Sequence, residues 1–167
     1  MNEEITASIL GIEATSGGCM FITDTNEWHR VYTKDPLIQS VVTNAFLSAS
    51  QIKLEIKPGR EIHRVMAFES QGQYSYSPSW FQYTLTRIAT QYSPENGHRL
   101  EAFISGHDGI ERQYNIQDRF LQKAIEAAFT LYAVTFPESE NRIDISLKEN
   151  EIIKIRIGYE LTDHESK

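Results

Sequence analysis

Two short segments of this chain carry the side chains best suited to recognising another molecule. Trp28, Arg30 and Tyr32 alternate along one stretch, and Ile110, Arg112 and Tyr114 along another. In an extended strand the period of two puts each trio on a single face. Tryptophan, tyrosine and arginine are the commonest hot-spot residues of interfaces. One reading is therefore a recognition surface built from Trp28, Arg30, Tyr32, Arg112 and Tyr114. The other is structural: the rings line a core while each arginine snorkels out or pairs with a carboxylate. A third group, Tyr74, Tyr76 and Trp80, continues into Phe81 and Tyr83 and is the densest aromatic stretch of the chain. Such rings suit stacking on bases or sugar rings, or packing between two folded units.

Catalytic chemistry is much harder to find. Histidines stand at 29, 63, 98, 107 and 164, with no helical i, i+4 pair of the metalloprotease kind. His98, His107 and Asp108 fall near turns and are the best of a poor set of metal candidates. The one cysteine, Cys19, sits beside Met20 and Phe21 on an apolar strand and reads as a small core residue. Gly17-Gly18 follows a strand but opens no helix, so it makes no phosphate loop. The expectation is a non-enzymatic protein with no catalytic residue, no metal site and no cofactor.

Composition narrows the partners. Of the 167 residues, 40% are hydrophobic and 23% charged, which fits a folded globular chain rather than a disordered one. Sixteen Lys and Arg against 23 Asp and Glu leave a net charge of −7, with neither half basic. Binding to a phosphate backbone needs a Lys/Arg footprint, so nucleic acid and anionic membranes are disfavoured. No apolar run nears the roughly 18 residues of a membrane span. Met1-Asn2-Glu3-Glu4 leads into no apolar signal region. A cytoplasmic location is expected.

The elements that must position these residues recur. Phe21-Ile22-Thr23, Asn26, Trp28, Arg30 and Tyr32 match Phe103-Ile104-Ser105, Asp108, Ile110, Arg112 and Tyr114, each pair 82 residues apart. Asp35-Pro36 opens one amphipathic stretch, with Ile38, Val41, Val42, Ala45, Phe46 and Ala49 on one face. Asp118 opens another, with Leu121, Ala124, Ile125, Ala128, Phe129 and Tyr132 at the same spacing. Both aspartates suit N-caps, and Pro36 suits the first helical position. A hairpin follows each helix: Ile52, Leu54 and Ile56 turn at Pro58-Gly59, while Ile143, Ile145 and Leu147 turn at Glu149-Asn150. Before each motif comes a strand, at Ile5–Leu10 and at Tyr83–Ile88.

Strand, strand, strand, helix, strand, strand is the order of the OB-fold, a partly open five-stranded barrel. The expected class is mostly β, α+β, with two tandem OB-like five-stranded barrels. The first spans 1–68 and the second 81–161, with an aromatic, Ser/Gln-rich linker at 69–80 and a polar tail at 162–167. Units this small bury little area, so each leans on the other or on a partner.

The helix run Gln122-Lys123-Ala124-Ile125-Glu126-Ala127-Ala128, set between strands and a hairpin, resembles the helix region of bacterial enterotoxin B-subunits. The resemblance covers about one repeat, in element order and a few helix residues. It implies an OB-fold and ring-like assembly; that family binds cell-surface sugars. The single cysteine and the doubled module depart from the family pattern, and no sugar-binding residue is carried over. The expected function is a binding or assembly protein that forms homo-oligomers or engages a protein partner. The alternative is a module for an oligosaccharide, a nucleotide or single-stranded nucleic acid.

Overall fold

A computed structural model describes residues 2–26, 29–48, 50–68, 83–135 and 142–158. It is mostly β, with antiparallel sheets and two helices. The first strands are β1 (Glu3–Ala7) and β2 (Ile9–Thr15), almost one strand bent at Ser8; β3 (Gly18–Thr23) and β4 (Arg30–Thr33) complete a meander. Helix α1 (Pro36–Leu47) and the hairpin β5 (Ile52–Ile56), β6 (Ile62–Ala67) follow. The same order then repeats as β7 (Tyr83–Ser93), β8 (Gly97–Ser105), β9 (Glu111–Ile116), α2 (Arg119–Thr135), β10 (Arg142–Lys148) and β11 (Glu151–Gly158).

Local chemistry accounts for these boundaries. Asp35 caps α1 by accepting from the Ile38 amide at 3.2 Å, with Pro36 in the first turn. Asp118 Oδ1 accepts from the amides of Phe120 and Leu121 at 2.9 and 3.1 Å. Each cap satisfies N–H groups that have no partner inside the helix. Gly17 and Gly59 adopt positive φ at the turns after β2 and β5. The β10–β11 turn is stranger, because Glu149 and Asn150 both have positive φ, at 53° and 65°. That pair of angles is the type I′ geometry that favours Asn-Gly, and a glutamate in it is strained by roughly 1–2 kcal/mol. Replacing Glu149-Asn150 by Asn-Gly should therefore raise stability by about 1 kcal/mol. For a chain this long that is about 2–4 °C in the melting temperature, measured by circular dichroism.

The strands do not divide into one sheet for each repeat. Eight strands join in one sheet, in the order β4-β3-β2-β11-β10-β7-β8-β9, and β1, β5 and β6 form a second, three-stranded sheet. Neither closes into a barrel. The two repeats share an edge. Strand β11 pairs antiparallel with β2 from Lys154↔Thr15 to Gly158↔Gly11, so the last strand of the second repeat covers the first strand of the first. An exposed strand edge is a row of unpaired amides and carbonyls, and this pairing removes two of them. The three-stranded sheet touches the larger one where the Tyr32 amide donates to the Arg60 carbonyl at 3.1 Å, beside a parallel bridge between Tyr32 and Glu61.

Both helices lie on one face of the large sheet and against each other. The core between them takes Ile12, Phe21, Val31 and Phe46 from the first repeat. From the second come Leu85, Ala102, Ile104, Ile125, Ile143 and Ile155. Gln39 is buried where the helices meet, and its Nε2 donates to the Phe120 carbonyl at 2.9 Å. The core is continuous across the two repeats.

Candidate functional site

The Phe21–Tyr32 and Phe103–Tyr114 segments keep the same strand register. Ile22 faces Arg30 across β3 and β4, and Ile104 faces Arg112 across β8 and β9. Their faces, however, are opposite. Phe21 and Val31 belong to the core, whereas their counterparts Phe103 and Gln113 do not; Ala102, Ile104 and Ile116 do instead. A shift of one residue sends every side chain of a strand to the other face. The structurally equivalent position to Phe21 is therefore Ala102, and the two arginines of the motif occupy different surroundings.

Arg30 and Tyr32 stand on the face of the sheet away from the helices, both half-buried. Tyr32 begins a straight line of cross-strand neighbours through Met20, Glu13, Arg156 and Asp144. Glu13 holds Lys154 at 3.0 Å and Arg156 at 3.7 Å, and Arg156 reaches Asp144 at 3.5 Å. These pairs lie over the joint between the repeats and tie β2, β11 and β10 together. Arg30 Nε is buried with no hydrogen-bond partner among the described residues. Trp28, Tyr74, Tyr76 and Trp80 lie outside the described residues.

Arg112 and Tyr114 face the core side of β9, at the end where the core opens to solvent. They line a cleft of about 320 Å³ together with Tyr83, the Gly106–Asp108 loop, Leu147 and Asn150. The sequence strategy of matching repeats found Arg112 and Tyr114 but missed Tyr83, Leu147 and Asn150. Those three come from β7, the end of β10 and the β10–β11 turn, distant in sequence. Tyr83 lies against Gly106, where an added Cβ would sit 3.4 Å from its ring. Asp108 shapes the loop: its Oδ1 accepts from the Ile110 amide at 3.0 Å, and both its oxygens take the Arg112 guanidinium, at 3.3 and 2.8 Å. A two-point fork of this kind fixes the plane of the arginine. The cleft thus presents two phenol rings, one oriented guanidinium and an amide, which suits a small polar ligand with an acceptor group.

The Arg112 hydrogen bonds, helped by the Ile110 amide, hold the Asp108 carboxyl below the ordinary aspartate range. Because the folded-state value is depressed, the contribution of the pair is present above the unfolded-state value and fades as pH falls through the folded one. A carboxyl titration by NMR should find Asp108 titrating below the usual aspartate, near 3.9. In Arg112→Ala the midpoint should move back up, and the Gly106–Ile110 loop should loosen at neutral pH.

The remaining candidates are placed elsewhere. His107 joins Asp108 at the cleft, but His98 sits at the far end of the β7–β8 hairpin with its ring 5.0 Å from that of Tyr92. Among the described residues no group of three His, Cys, Asp or Glu side chains is placed to hold a metal ion. Cys19 is buried, and burial pushes its thiol far above the ordinary range, so it is no nucleophile. The Gly17 amide is taken by Asp118 Oδ2 at 3.0 Å, which closes that turn to an anion. On the outer face of the second repeat, Arg87 lies 4.1 Å over the Phe103 ring and pairs with Glu111 at 2.9 Å. No described helix is long and apolar enough to cross a membrane. No protein-family model, no curated protein and no solved structure matches this chain.

Proposed function

We propose that this chain is a non-enzymatic binding and assembly protein made of two OB-like units, which forms homo-oligomers through its sheet edges. The reading of each repeat as an OB-like unit is supported by its connections. In the first repeat the bent β1–β2 strand pairs with β5 at one end and β3 at the other. Then β4 meets β6 through the Tyr32–Glu61 bridge. Calling the five strands of a repeat 1 to 5 in chain order, the ladders run 3-2-1 and 1-4-5, with a single bridge between 3 and 5. In the second repeat β7 likewise pairs with both β8 and β10, and β11 approaches β9. The enterotoxin-like element order has the same sense.

The observation that carries the assembly reading is the β11–β2 ladder. Two units of this kind join by extending a sheet, with Ile155 and Ile157 of one meeting Ala14 and Ile12 of the other. Light scattering after size exclusion, at tens of micromolar, should give a mass that is a multiple of 19.2 kDa. A clean monomer rejects it.

The Arg112–Tyr114 cleft favours a second reading, a ligand-binding module for a sugar or another small polar molecule. Fluorescence titration with short oligosaccharides, nucleotides and oligonucleotides tests it. Binding abolished by Arg112→Ala supports it, and no binding to any of them by the parent protein rejects it. A net charge of −7 disfavours the oligonucleotide.

A further inference from the structure

Within one chain the fifth strand of the second unit, β11, pairs with the first strand of the first unit, β2. The corresponding strands on the opposite sides of the two units are β6 and β7. Among the described residues, β6 pairs only with β5 apart from its first contact at Glu61. On its side away from β8, β7 pairs with β10 only through Tyr83 and Thr84. No described strand covers the rest of either edge. We infer that β6 of one chain pairs antiparallel with β7 of a second copy, repeating between molecules the joint that β11 and β2 make within one. This rests on the assembly reading above and assigns the edges that carry it.

Three observations support the assignment. First, β6 and β11 are used alike. Each approaches the third strand of its own unit, β4 through Glu61 just before β6, and β9 for β11. Second, both first strands carry a bulge at the same place, between Ile9 and Gly11 and between Leu85 and Arg87. That fixes the register. Aligning the bulges sets Ile12 with Ile88 and Glu13 with Ala89. In the hairpins Lys53 faces Met66 as Asp144 faces Arg156. The Arg156↔Glu13 pair inside the chain thus becomes Met66 opposite Ala89 between chains. Third, the chemistry matches. The charged pair at the internal joint is replaced by an apolar one, and Met66 of β6 and Phe68 just beyond it are each 42% exposed. His63 and Arg64 are exposed as well, so the apolar part of this edge is its Met66–Phe68 end, the kind that another strand covers.

Because each chain contributes two units, a closed ring holds an even number of them. If the rotation per chain does not close, the same contact runs on as a filament.

Cysteine pairing tests the register directly. In a Cys19→Ala background, Met66→Cys with Ala89→Cys should give a ladder of disulfide-linked chains on non-reducing gels, because directly paired strands hold Cα atoms within disulfide range, roughly 4.5–5.5 Å. Either single substitution should give no ladder. Met66→Lys, a change at an exposed side chain, should weaken association at least tenfold while circular dichroism stays that of the folded parent. If the parent is an oligomer but the double-cysteine variant gives no ladder and Met66→Lys leaves the oligomer intact, the edge assignment falls. In that case the chain's own residues 69–82 or 159–167, or a different surface, take those edges. A monomeric parent overturns the assembly reading itself.

Discussion

Substituting Gly158 by alanine should lower the stability of this protein by about 3 kcal/mol, or roughly 6–12 °C in Tm for a chain of this length. Gly158 has φ +84° and lies at the end of the β11–β2 ladder, opposite Gly11. A Cβ there would sit 2.6 Å from the Leu10 carbonyl oxygen, 2.7 Å from the Gly11 Cα and 3.0 Å from the Phe46 ring. Two of the three are backbone atoms, so nothing flexible can give way. The left-handed conformation contributes about 1–2 kcal/mol and the overlap about 1–3 more. Gly17 is the control. Its φ is +86°, but no atom lies within 4 Å of its added Cβ, so Gly17→Ala should show the backbone cost alone. Equal losses in the two variants, by chemical denaturation, would mean that the joint is loosely packed. At this joint Gly158 lets β11 end directly over Gly11 of β2, beneath the Phe46 ring.

The parts of the structure that were legible in the sequence are the parts fixed by neighbours a few residues away. Asp35 and Asp118 cap their helices because a carboxylate there finds free amides within the next three residues. The hairpins after the helices follow from strict alternation at Ile52, Leu54, Ile56 and Ile143, Ile145, Leu147. The exposure of Phe129, at 40%, against 1% for Phe46 was not legible, although both occupy the same place in their helical patterns. Which part of a helix is covered depends on the strands beneath it, and those differ. The offset of 82 residues misled for a related reason. Identity between Phe21 and Phe103 is a one-dimensional match, while burial follows parity along the strand. The alternation of Leu100, Ala102 and Ile104 against that of Cys19 and Phe21 carries the correct parity, and it contradicts the motif. The shared sheet was the least legible feature. It pairs Ile12 with Ile157, and no local pattern selects that partner among so many apolar strands.

The second large effect is expected at Asp118, where one carboxylate serves both repeats. Its Oδ1 caps α2, and its Oδ2 accepts from the Gly17 amide at 3.0 Å and lies 3.4 Å from Ser16 Oγ in the β2–β3 turn. Among the described residues the side chain of Asp35, the matching cap of α1, accepts from the Ile38 amide alone, at 3.2 Å. Losing a cap costs typically about 1 kcal/mol, and losing a hydrogen bond to a charged group about 1.5–3. Asp118→Ala should therefore destabilise by about 2–3 kcal/mol, against about 1 for Asp35→Ala. Asparagine at 118 keeps a cap but not the charge, and should fall between the parent and alanine. The difference between the two alanine variants measures the link between repeats rather than helix capping. Hydrogen exchange locates it: in Asp118→Ala the Gly17 amide should lose protection along with the first turn of α2. If the two variants are equally destabilised and the Gly17 amide stays protected, the turn is held by the β2–β3 ladder alone. The carboxylate would then serve only its own helix.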